Sequence, residues 1–209
     1  MRSHRFRTLA AGAAAAAAVL AASLTTAGQS HAVERPAAPA PGFLSADDLP
    51  PHPSSEWRAG EVTQGPPDPR PFCLDGDDLP AAASYHRTFT TDLDTGAVQV
   101  SVTARSSAKA AELAEELNES VAECAGDWLG DHPGGTASWE DYGTLEVGDG
   151  AHLYGVYSAL PNSSHNVHLF GVGRDGRTVT AVQWGQIGTL ADAPVQDFRA
   201  TTLKAVELL

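Results

Sequence analysis

The 209-residue chain carries 13 Lys and Arg against 26 Asp and Glu, a formal charge of −13, and that sign repels nucleic-acid phosphates and anionic lipid headgroups at long range. Its Lys and Arg residues beyond the N-terminal stretch form no run, so no local basic patch offsets the repulsion and nucleic acid is excluded as a partner. The length allows one domain with a substantial core.

The N-terminus follows the three-part pattern of a secretory signal. Arg2, Arg5 and Arg7 form the basic start, residues 9–27 an alanine-rich apolar run, and Ser30, His31 and Ala32 a small-residue cleavage site, predicting cleavage after Ala32. Alanine is too weakly apolar for a stable membrane span, which needs about 20 strongly apolar residues. Phe6 separates Arg5 from Arg7, so there is no twin-arginine pair, and no cysteine stands near the cleavage site to carry a lipid. The expected product is secreted and extracellular, neither a lipoprotein nor membrane-anchored. Losing three arginines and no acids leaves 10 basic and 26 acidic residues, near −16.

In an exported protein Cys73 and Cys124 predict a disulfide before a metal site or a nucleophile, and with two cysteines the pairing is forced. A free catalytic thiol, the alternative, would leave its partner unexplained. Closing a loop of about 50 residues stabilises a fold by roughly 4 kcal/mol on the chain-entropy argument.

After the signal (residues 1–32), residues 33–42 read as an Ala/Pro linker and residues 43–209 as one domain. Ser45, Asp47 and Asp48 mark a short helical turn before Pro50. Prolines from 50 to 71 are too dense for a regular element, and this stretch is expected to cross the surface with Trp57 as its apolar anchor. Alternation at Tyr85, Arg87 and Phe89, and again at Val98, Val100 and Val102, predicts a hairpin around Asp92, Asp94 and Gly96. A helix follows, capped by Ser106 or Ser107, with Ala110, Ala114, Leu117, Val121, Cys124 and Trp128 on one stripe and Glu112, Glu116, Glu119 and Glu123 opposite. Strands are predicted near 137–147, 151–160, 164–172 and 177–186. A last helix opens near Asp192 and Pro194 and buries Val195, Phe198, Thr202, Ala205 and Leu209. The order strand, strand, helix, four strands, helix, with short connections, implies an α+β fold: an antiparallel sheet of about five to six strands with both helices on one face. The other face is then partly open to a ligand.

This order resembles the PknH-like extracellular sensor domain of actinobacterial exported proteins and receptor kinases. The residues that carry the likeness are 44–50 (LSADDLP), Trp57, Cys73, the alanine-rich helix ending at Cys124, the hairpin over 173–185 (GRDGRTVTAVQWG) and the closing helix. The resemblance covers nearly all of the mature chain. It implies an α+β fold with a groove for an extracytoplasmic ligand and no set of catalytic residues. Kinase-attached members also carry a transmembrane helix and a kinase, neither of which is expected here, and members often have a second disulfide.

Other motifs read as structure. Gly171, Gly173 and Gly176 match G-x-G-x-x-G, but a strand follows where a dinucleotide loop needs a helix, so a hairpin turn at Asp175-Gly176 is the reading. Asp92, Asp94 and Gly96 resemble the start of a calcium loop, yet its twelfth position is Thr103. Asp75, Asp77 and Asp78 around Gly76 read as a solvated acidic turn. His165 and His168 point to opposite faces of one strand and cannot share a metal ion. No G-x-S-x-G elbow activates a serine. Tyr154, His165 and Trp184 are the candidate groove residues, and no catalytic, cofactor or metal site is expected. The functional expectation is a non-enzymatic binding or sensor-like domain for a small-molecule or cell-envelope ligand. The alternatives are a secreted hydrolase with an unrecognised active site, and a protein–protein interaction module.

Overall fold

The computed structural model describes residues 40–74 and 79–209. The signal and its cleavage site, most of the linker, and the acidic turn of Asp75, Gly76, Asp77 and Asp78 lie outside the described residues.

The elements are β1 (Arg58–Ala59), β2 (Thr63–Gln64), β3 (Ser84–Thr90), β4 (Gly96–Thr103), α1 (Ser107–Asp131), β5 (Thr136–Leu145), β6 (Ala151–Ala159), β7 (His165–Asp175), β8 (Thr178–Ile187) and α2 (Val195–Glu207). They build an open eight-stranded antiparallel sheet in the order β1-β3-β4-β8-β7-β6-β5, with β2 also paired to β3. The α+β class and the antiparallel sheet agree with expectation. The strand count does not: eight strands replace five or six, and four precede the first helix where two were expected. The two additions come from the proline-dense covering. Residues 57–65 contain no proline, and this short interval suffices for two-residue pairings with β3.

The helices also depart from expectation, because they lie on opposite faces of the sheet. One core joins Leu117 and Val121 of α1 to Val100, Phe170 and Val172. The other joins Phe198 and Ala205 of α2 to Leu153, Val167, Leu169 and Val182. Alternation along β7 sends 167 and 169 one way and 170 and 172 the other. Burying both faces explains why β6, β7 and β8 are apolar at both parities.

Helix α1 begins where Ser106 Oγ accepts the Lys109 N–H at 3.2 Å. Its buried stripe runs through Ala110, Leu113, Leu117, Val121 and Cys124, while the glutamates of the opposite face stay exposed. Helix α2 sits close against β7. A Cβ at Gly171 would lie 2.2 Å from Thr202 Oγ1, and one at Gly173 would lie 2.3 Å from Val206 Cγ2. Two of the three glycines of the G-x-G-x-x-G letters therefore serve helix packing. The third, Gly176, has φ +54° in the β7–β8 turn.

The N-terminal segment covers the α2 side of β3 and β4. Leu44 is fully buried; its N–H donates to Gln99 Oε1 at 2.8 Å, and its carbonyl accepts from Arg87 Nη1 at 2.9 Å. Trp57 Nε1 donates to Pro50 O at 2.7 Å, anchoring the covering as expected. The Gly42 N–H donates to Leu208 O at 3.2 Å.

Cys73 and Cys124 form the predicted disulfide, with Cα atoms 5.4 Å apart. It ties the inward stripe of α1 to the end of the proline-rich segment. None of the described helices is long and apolar enough to cross a membrane.

Candidate functional site

As one α-helix about 10 Å across, α1 is too narrow, even where it crosses several strands, to roof the whole of its face of an eight-stranded sheet. It packs over β5, β6, β7 and β8. Over the ends of β3, β4, β8 and β7 the cover is instead the strap of residues 67–72 (PDPRPF). Four of its residues are Pro or Phe, and the rigid backbone spans the gap without filling it. A groove of about 420 Å³ remains, within the range of small-molecule sites.

The groove is floored by Thr88, Val98, His168, Gln183 and Gly185, with Phe72 in the strap above. Gly185 matters because a Cβ there would meet His168 Nδ1 at 2.5 Å. Its absence lets the imidazole lie across β8, where the Phe72 ring stands 4.7 Å away, centroid to centroid. Burial pushes the His168 pKa down to about 4, so the ring is neutral.

Gln183 Nε2 lies 3.1 Å from His168 Nδ1. With the amide N–H donating to Nδ1, the imidazole carries its proton on Nε2. The other amide atom, Gln183 Oε1, is buried without a hydrogen-bond partner. Gln99 shows how this fold treats a buried glutamine otherwise: its Oε1 accepts from Leu44 N and its Nε2 donates to Thr180 Oγ1. An orphaned acceptor costs on the order of 1–3 kcal/mol, so its place in an apolar groove marks a position for a ligand N–H or O–H. Asp94 and Asn166 bring polar groups to the rim.

The structure does not bring Tyr154, His165 and Trp184 together. Tyr154 is buried on the α1 face, and Trp184 is buried on the opposite face with α2. His165 is exposed at the start of β7, where Nδ1 meets Tyr157 Oη. His168, set aside as a metal ligand, is the histidine the groove contains. A signal for it existed, since Gln183 interrupts the apolar run between Val182 and Trp184 in a central strand. The aspartates of the β3–β4 turn do structural work: Asp92 pairs with Arg58 at 2.5 Å, and Asp94 Oδ2 accepts the Ile187 N–H at 2.8 Å.

The remaining histidines among the described residues each hold a partner away from the groove. His86 Nδ1 meets Gly65 O, His132 Nδ1 meets Trp128 O, and His52 Nδ1 accepts the Ser54 N–H. His152 Nε2 lies 2.6 Å from Asp141 Oδ1, and this bond holds the Asp141 carboxyl below the usual carboxylate range. Among the described residues, no group of three or more His, Cys, Asp or Glu side chains is arranged to hold a metal ion. No family model, curated protein or solved structure matches this chain.

Proposed function

We propose that this chain is a secreted, non-enzymatic ligand-binding domain that captures a small, largely apolar molecule bearing an N–H or O–H donor. The observation that carries the reading is Gln183 Oε1, buried and unpartnered beside a neutral His168 in an apolar groove. The groove would take up the ligand's apolar body, and the amide oxygen would select molecules that bring a donor. Neutrality of the imidazole disfavours no charge state of the ligand by itself, but the acidic surface disfavours anions. The signal-like pattern at the start of the sequence and the disulfide support a place outside the cell. Binding without chemistry is supported by the histidine partners. Among the described residues, the one hydroxyl that hydrogen-bonds an imidazole is the Tyr157 phenol, not a serine of the kind acyl transfer uses.

N-phenyl-1-naphthylamine, neutral, apolar and carrying a single N–H, is a suitable probe. Its fluorescence should rise saturably at one site per chain, Val98→Phe should block binding by filling the floor, and Gln183→Leu should weaken it about five- to tenfold. A probe that gives no saturable signal, or that ignores Val98→Phe, rules the groove out as the site.

A further inference from the structure

A second cleft lies at the opposite end of β7, between α1 and the strands β6 and β7. Its volume is about 480 Å³. The small side chains Ala111, Ala114 and Ala122 open the gap on the helix side, and the His152 and Tyr154 rings stand on the strand side. These rings are stacked, with centroids 4.3 Å apart and planes 7° from parallel.

Three features give this cleft one chemical character. Asn118 lines it, and Asn118 Nδ2 donates to Ala114 O at 2.7 Å. A carbonyl oxygen can only accept, so this bond fixes the amide orientation and leaves Oδ1 as the buried atom without a partner. His152 Nε2 is engaged by Asp141 Oδ1 at 2.6 Å, which fixes the ring that stacks on Tyr154. Positive charge is already consumed: Arg174 Nη1 bonds Asp149 Oδ2 at 2.6 Å. Glu115 and Glu119, also lining the cleft, are exposed and make no ion pair among the described residues. The cleft therefore presents an orphaned acceptor and two exposed carboxylates beside an arginine that is already ion-paired, in a chain whose net charge already attracts cations.

We infer that this cleft binds a small primary amine, whose ammonium donates to Asn118 Oδ1 and faces Glu115 and Glu119 while its carbon skeleton lies against Tyr154. An aliphatic diamine and an amino sugar share that chemistry. The site is independent of the groove under the strap.

Calorimetric titration of the disulfide-bonded protein with 1,4-diaminobutane and with glucosamine tests it, using 1,4-butanediol and N-acetylglucosamine as uncharged counterparts. At least one amine should bind with its counterpart about tenfold weaker or worse, and the amine that binds identifies the source. Asn118→Leu should weaken binding about tenfold while the melting temperature holds or rises, because the variant removes an orphaned acceptor. Glu115→Gln combined with Glu119→Gln, on the exposed helix face, provides a second variant expected to weaken binding severalfold without unfolding. The inference is overturned if neither amine binds at millimolar concentration. It is also overturned if the uncharged counterparts bind as tightly, or if the glutamine and leucine variants both retain full affinity.

Discussion

Burial removes the charge that solvent would give His168 near neutral pH. In the unfolded chain its pKa is near 6.5, and in the fold it is about 4, so between those values the unfolded state holds more protons. Stability therefore rises with pH across that window, is complete above about 6.5, and is lost as the pH falls through about 4. The shift amounts to something on the order of 3 kcal/mol. Urea titrations of the wild type and His168→Gln at about pH 7.5 and pH 4.5 isolate this contribution from that of the carboxylates. The stability difference between the two proteins should move toward the variant at the lower pH, and a difference that does not change with pH refutes the assignment. The faces of His165 and His168 were legible in the sequence, because strand alternation sets them. Which face carries a groove, and at which end, was not legible. That depends on where α1 stops covering the sheet and where the strap tied at Cys73 crosses it, and neither has a period of two.

At the scale of elements, the contact between α2 and β7 rests on missing side chains. Adding a methyl at Gly171 drives it into Thr202, so Gly171→Ala should destabilise by about 1–3 kcal/mol in chemical denaturation. Combining it with Thr202→Ala should recover part of the loss, because the clashing atoms are that side chain's own. Full additivity of the two substitutions would show that the helix and strand do not touch there. Periodicity located α1, α2 and the six long strands to within a few residues of their observed ends. The helix placement was misread for a reason visible in the letters. A sheet with one wet face alternates cleanly, whereas β7 has Val167 and Leu169 at one parity and Phe170 and Val172 at the other. Apolar residues at both parities call for cover on both sides. The two-residue strands β1 and β2 are too short to leave any pattern.

For the molecule as a whole, the disulfide links stability to the groove under the strap. Its loop spans 51 residues, for which the chain-entropy argument gives about 4 kcal/mol. Phe72, next to Cys73, forms part of the groove's roof. Replacing both cysteines by alanine should therefore lower stability by about 4 kcal/mol and, under conditions where the variant is still folded, weaken N-phenyl-1-naphthylamine binding severalfold. If the folded, cysteine-free protein binds the probe with unchanged affinity, the strap is held by something other than this bond. The pairing of the cysteines was readable from the expected compartment and the count of two. The groove that the bond steadies was not, since it forms from an uncovered area of sheet, and that area is a property of the assembled layers.

The bond from the Gly42 N–H to Leu208 O places the two ends of the described domain side by side. A short polar linker could join residue 209 back to residue 42, and the chain could be reopened at the exposed turn of Pro161, Asn162 and Ser163 between β6 and β7. Such a circular permutant would keep every strand pairing while moving the termini to the far side of a connection. The same adjacency means that a tag or surface tether fused at either end of the domain would leave from one place on it.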